Sequence, residues 1–280
     1  MSEKGDALTR IADALERIAG TGQAHATDWH ASPAYVWHGS GAHALDRIEA
    51  VPFELLTGID AQKHALLENS RRHAGGHAAH DVLLWGARGM GKSALVKSAV
   101  SIVAAGEDDL ALVQLAGGDN ALAALGSLFA ALAPVDRRFI VFIDDIAFDE
   151  EQGVGPARAL RSLLEGGAVA RPANIRLYVT SNRRHIVSRQ MREQDDPVNP
   201  RDVLDDKLAL ADRFGLSLGF HACNQDDYLA IIAGYAAQYG LAFEESDALL
   251  WSKQRGSRSG RIAWHYIVEL AGRAGKSLAG

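Results

Sequence analysis

Apolar positions along this chain switch between two periods. Leu8, Ile11, Leu15 and Ile18 recur at steps of three and four with Arg10, Asp13, Glu16 and Arg17 between them, predicting an amphipathic helix over residues 1–20. So short a repeat suits either a helix docked on its own domain or a small coiled-coil assembly element. After Gly20 the stretch through His43 is rich in Gly, Ala, His and Ser and carries Trp29, Tyr35 and Trp37; residues 21–55 read as a linker followed by an aromatic-anchored segment. From Thr57 the pattern becomes regular. A helix is predicted near 60–73 and a strand at Val82 to Trp85. Further strand-like runs lie at Leu110–Leu115, Phe139–Ile143, Ile175–Thr180 and Leu216–Phe220, separated by helical stretches near 93–105, 120–132, 156–165 and 202–211. This alternation predicts an α/β fold of three layers (αβα) around a parallel five-stranded sheet spanning residues 56–221. Residues 222–280 show only helical periodicity, through Tyr228, Ile231, Ile232 and Tyr235 and again through Trp264, Ile267 and Val268, so a small helical domain closes the chain.

Composition narrows the class. With 280 residues, 48% of them hydrophobic and 23% charged, the chain has ample material for a buried core and lacks the bias of a disordered or fibrous protein. A net charge of -6 removes the whole-chain electrostatic case for nucleic-acid binding. Local patches keep such a partner open: residues 251–280 hold Lys253, Arg255, Arg258, Arg261, Arg273 and Lys276 against Glu269 alone, and Arg183, Arg184, Arg189 and Arg192 cluster upstream. Cys223 is the single cysteine, which excludes an internal disulfide and a multi-thiolate zinc site. Neither a signal-peptide core nor a membrane-length apolar run occurs, so a cytoplasmic protein with no membrane partner is expected.

The chemistry concentrates around one loop. Gly86-Ala87-Arg88-Gly89-Met90-Gly91-Lys92-Ser93 fits G-x-x-x-x-G-K-S and lies between an apolar strand and a helix, the context in which such a loop cradles phosphate. Glycines let backbone N–H groups wrap phosphate oxygens, Lys92 neutralises the β- and γ-phosphates, and Ser93 ligates magnesium. The binding set runs from Gly86 through Ala94, with Arg88 either reaching phosphate or pointing to solvent. The buried run Ile140-Val141-Phe142-Ile143 ends in Asp144-Asp145. That places Asp144 to hold the magnesium and Asp145 to polarise a water, although two acids after a strand also serve as a helix cap. His73, His77 and His80 have spacings that would share a helical face and bind a metal, but Gly75-Gly76 argues for a solvated polar connector. No Gly-x-Ser-x-Gly elbow supports acyl transfer.

The order of these motifs resembles the AAA+ ATPase family over about residues 56–270. The resemblance implies an ATPase, a phosphoanhydride hydrolase using ATP and Mg and acting as a homo-oligomer on a protein or nucleic-acid partner, with residues 222–280 as its helical lid. Thr180-Ser181-Asn182 looks like the family's sensor-1 segment, which gives Asn182 a contact to the attacking water or γ-phosphate. Asp212-Arg213-Phe214-Gly215 is similar to the segment whose arginine enters a neighbouring subunit's site, making Arg213 the candidate arginine finger, with a structural salt bridge as the competing reading. Gly256 to Ala263 looks like the sensor-2 motif, with Arg261 the best fit and Arg258 the fallback. Thr57-Gly58-Ile59-Asp60 occupies the adenine-pocket region, with Ile59 as the apolar contact. Leu83 to Gly89, Leu163 to Gly167 and Thr180 to His185 more narrowly resemble a bacterial AAA+ group whose domain has no assigned function. The chain departs from the family pattern twice. Asp145 stands where the family usually has Glu, which points to slow hydrolysis or to a nucleotide-gated loader or adaptor. Ala116-Gly117-Gly118-Asp119-Asn120 lacks the aromatic that grips a threaded peptide, which argues against a processive unfoldase.

Overall fold

A computed structural model describes residues 27–106, 109–116, 122–146, 164, 171–182 and 213–278. The expected N-terminal helix, the loop at 117–120 and the helical stretches near 156–165 and 202–211 lie outside the described residues, except for Leu164, which is helical.

The sheet has seven strands: β1 (Ala34–Trp37), β2 (Ala42–Leu45), β3 (Val82–Gly86), β4 (Leu110–Leu115), β5 (Arg138–Ile143), β6 (Ile175–Ser181) and β7 (Leu216–Phe220), in the order β2-β1-β4-β5-β6-β3-β7. The five strands expected from periodicity form its parallel body. The aromatic segment adds two more, β1 running parallel to β4 and β2 antiparallel to β1, so it is anchored as part of the sheet. Trp29, Tyr35 and Trp37 are buried there and pack on one another and on Phe139. Four-residue strands are too short for an alternation to register, and the Gly- and His-rich flanks hid them. Arg137 ties the segment down through its hydrogen bond to the Ser32 carbonyl (2.7 Å) and its ion pair with Asp109 (2.7 Å).

Both faces of the parallel body are covered, which is why its strands read as unbroken apolar runs. Leu83, Val141 and Leu177 point to one layer with α3 (Leu125–Leu132). Val82, Leu84, Ile140, Phe142 and Tyr178 point to the other, against α1 (Asp60–Ala74) and α2 (Lys92–Ala104). The chain then forms α4 (Gln225–Tyr239), α5 (Glu245–Gln254) and α6 (Gly260–Arg273) around a core of their own that includes Tyr228, Ile232, Ala248, Ala263 and Ile267. Asn224 and Asp227 close a reciprocal capping box that starts α4 and separates it from β7. Among the described residues no helix is long and apolar enough to cross a membrane.

Candidate functional site

The loop between β3 and α2 turns at the C-terminal edge of the sheet, where α/β folds place ligands. Gly86 has φ +125°, and a Cβ there would fall 2.1 Å from the Phe220 carbonyl oxygen, which accepts the Ala87 N–H at 2.8 Å. Gly89 has φ +76°, and a Cβ there would meet Ser259 Oγ at 2.9 Å. The loop is thus pressed between β7 below and the start of α6 above, and any side chain at these two positions would push it away.

Lys92 opens α2 and is buried. Its Nζ donates to the carbonyls of Gly86 (3.1 Å) and Ala87 (2.9 Å) and to Asn182 Oδ1 (2.9 Å). Burial lowers its pKa to about 8; the carboxylates of Asp145 and Asp144 oppose that shift, and the Arg261 charge adds to it.

Asp144 and Asp145 follow β5 and are exposed. Ser93 Oγ donates to Asp144 Oδ1 at 2.6 Å, and Thr180 Oγ1 donates to the same oxygen at 2.6 Å. Asp145 takes φ +56°, the one positive φ outside glycine among the described residues. Its N–H donates to Thr180 Oγ1 (2.8 Å) and its Oδ1 accepts from Asn182 Nδ2 (2.5 Å). Asn182 therefore bridges Lys92 to Asp145. Thr180, for which motif reading offered no separate role, joins the two acids; its only signal in the sequence is a hydroxyl two positions before Asn182, at the end of an otherwise apolar strand.

From the helical side, Ser259 caps α6 by accepting the Ile262 N–H, and the Arg261 N–H donates to the Gly89 carbonyl at 3.2 Å. A cavity of about 930 Å³ opens between loop and helices. Arg88 to Ala94, Asp144, Asp145, Asn182 and Arg261 line it, together with the apolar Ile59, Tyr235 and Trp264. Gly86 and Ala87 lie behind the lining, where their carbonyls hold Lys92. Arg88 is exposed at the cavity's rim.

Arg213 is not brought into this site within one chain. It is exposed in the turn before β7, at the N-terminal edge of the sheet, where Leu216 N–H donates to the Asp81 carbonyl and a Cβ on Gly215 would strike the His80 ring. The spaced histidines do not converge either. His73 is buried with Nε2 at 3.1 Å from the Phe139 carbonyl, so it is a core residue rather than part of a solvated connector, while His77 and His80 are exposed. Among the described residues no group of three or more His, Cys, Asp or Glu could hold a metal ion.

Several solved structures are similar to this chain. Thermotoga maritima RuvB, described as a Holliday junction branch migration motor, is 19% identical, with 78% of this chain and 63% of its own covered at a TM-score of 0.47. Aeropyrum pernix ORC2, solved in ADPNP–ADP complexes, is 18% identical over 81% of this chain and 66% of its own, at a TM-score of 0.52. The FIGL-1 AAA domain, solved with ADP, is 17% identical over 71% of this chain and 65% of its own, at 0.45. This chain therefore spans less than two thirds of each of these proteins. No curated protein matches it in sequence. The model of the family described as "Protein of unknown function (DUF815)" matches residues 30–274, so the chain belongs to that family, and its fold is the αβα fold of AAA+ proteins.

Proposed function

We propose that this protein binds and hydrolyses ATP with magnesium and acts as an oligomeric AAA+ switch or remodeller in the cytoplasm, on a protein or nucleic-acid partner. The observation that carries the reading is the closed set of Lys92, Ser93, Asp144, Asp145 and Asn182 around a glycine loop at one edge of the sheet. An adenine nucleotide suits the cavity, with phosphates at the loop and the base against Ile59 and Tyr235. Magnesium suits the donors. It prefers a few protein oxygens completed by water and phosphate, and Ser93 Oγ and Asp144 Oδ1 stand together at 2.6 Å with no all-protein cage around them among the described residues. Ser93 and Asp144 would hold the ion, whose chemistry is to neutralise the β- and γ-phosphate oxygens.

The remaining steps belong to the chain itself. Lys92 exchanges carbonyl contacts for phosphate oxygens and, with Arg261 from α6, offsets charge developing on the γ-phosphoryl group. Asp145 and Asn182 orient the attacking water. Arg213 of a neighbouring copy completes the charge clamp, because its own site lies at the other end of the sheet.

Asp145 supports a second reading. Its carboxylate is one methylene shorter than glutamate and already accepts from Asn182, which favours a nucleotide-gated loader or adaptor with slow or incidental hydrolysis. Steady-state ATP hydrolysis across a protein concentration series, with oligomer mass recorded beside Lys92→Ala, tests both readings. Specific activity is expected to climb with assembly, and Lys92→Ala to weaken ATP binding by about 100-fold or more. Unchanged affinity in Lys92→Ala contradicts the assigned site, and tight ATP binding without turnover at any concentration favours the gated module.

A further inference from the structure

Thr180 is the next-to-last residue of β6, fully buried, and its hydroxyl lies between the two acids. A threonine hydroxyl has one proton to give and lone pairs to receive. Asp144 Oδ1, a carboxylate oxygen, can only accept, so the proton goes to it at 2.6 Å and a lone pair takes the Asp145 N–H at 2.8 Å. The neighbouring residue repeats the grip: Ile146 N–H donates to the Thr180 carbonyl at 2.9 Å, and the Ser181 side chain donates through Oγ to the Ile146 carbonyl at 3.2 Å.

This grip coincides with the left-handed backbone at Asp145. A non-glycine residue at φ +56° is strained and persists only where its surroundings over-determine it. The four bonds from Thr180 and Ser181 do so. Turned this way, the short Asp145 carboxylate meets Asn182, so its reach is set by the backbone of the turn rather than by side-chain length.

We propose that Thr180 is a positioning residue for both acids, its hydroxyl proton orienting the Asp144 carboxylate toward the cation position beside Ser93 and its lone pair holding Asp145 in the turn that aims it at Asn182. The inference rests on the nucleotide site proposed above. Valine at 180 keeps the shape and loses both hydroxyl bonds, whereas serine keeps both bonds and loses a methyl group.

The test compares the full chain with Thr180→Val and Thr180→Ser, using ADP titrations with and without magnesium and then ATP turnover. In Thr180→Val the strengthening of ADP binding by magnesium is expected to drop about tenfold, while metal-free ADP affinity stays within about twofold. Its kcat is expected to fall about 10- to 100-fold with KM within about threefold, and Thr180→Ser to recover most of both losses. Thr180→Ala carries the same test should the valine variant not fold. A Thr180→Val protein matching the native one in magnesium response and kcat overturns the proposal, as does a Thr180→Ser protein that falls equally far, since only packing would then be at stake. If the native protein binds ADP but does not turn over ATP, the hydrolysis reading fails separately and the magnesium response alone decides the role of Thr180. A native protein that binds no ADP overturns both.

Discussion

The two edges of the central sheet treat their polar side chains in opposite ways. At the N-terminal edge Asp81, Tyr178 and His73 are desolvated and partnered from within. Asp81 accepts the Leu177 N–H and pairs with Arg171 at 3.2 Å, and burial raises its pKa despite that arginine. Tyr178 is enclosed by Asn69 and Ser70 and burial pushes its pKa to about 12, while burial together with the Arg176 charge holds His73 at about 4. At the C-terminal edge Asp144 and Asp145 are exposed, bonded mainly to other members of the same cluster, and one of them sits in a costly backbone conformation. Desolvation with full internal partnering fixes architecture; exposure, strain and exchangeable partners leave groups able to meet a ligand. Arg213 stands exposed at this same N-terminal edge, in the turn before β7.

The largest expected effect lies at the buried edge. Below about pH 6.5 the unfolded chain protonates His73 while the folded protein resists until about pH 4, so the unfolded state binds more protons and stability falls as pH falls through that window. The loss attributable to this residue is on the order of 3 kcal/mol. Urea denaturation between pH 7 and pH 4 measures it, and His73→Gln is expected to flatten that part of the profile. A native profile indistinguishable from the variant's would erase the contrast between the two edges.

A smaller effect is expected at the other edge. Lys92 without ligand carries its charge at a cost present below about pH 8 and relieved as pH rises from there toward the ordinary lysine range. Bound phosphates favour the ammonium, so ADP affinity is expected to fall by up to about tenfold per pH unit above pH 8, with protons taken up on binding. Calorimetry at pH 8.5 in buffers of different ionisation heat checks the sign. Proton release, or a flat profile, would show that Lys92 does not meet the phosphates.

The parts of this division legible in the sequence are those with a local signature. β3 and β5 are apolar on both faces and are followed by distinctive glycine and polar residues, so the sequence alone puts the glycine loop, Lys92, Ser93 and the two acids at one edge. Asn182 is legible only through the resemblance of Thr180-Ser181-Asn182 to the AAA+ sensor-1 segment, and its bond to Lys92 draws it into the same cluster. Nonlocal features stayed hidden. β1 and β2 become strands only by pairing with β4 and with each other. His73 looks polar and surface-seeking until α1 packs it against the Phe139 carbonyl across a long sequence separation. Thr180 reads as one more β-branched strand residue, because its role depends on a turn 35 positions earlier adopting a conformation rare for aspartate.

The central claim, that sites at one edge are completed by Arg213 from the other edge of a neighbouring copy, is tested most directly by mixing Lys92→Ala and Arg213→Ala proteins and measuring ATP turnover. Each variant alone is expected to be nearly inactive while still assembling. A one-to-one mixture is expected to recover about a quarter of native specific activity, the share of head-to-tail contacts that join an intact loop to an intact arginine. Turnover equal to the sum of the separate variants, or an Arg213→Ala oligomer as active as the native one, would contradict the account.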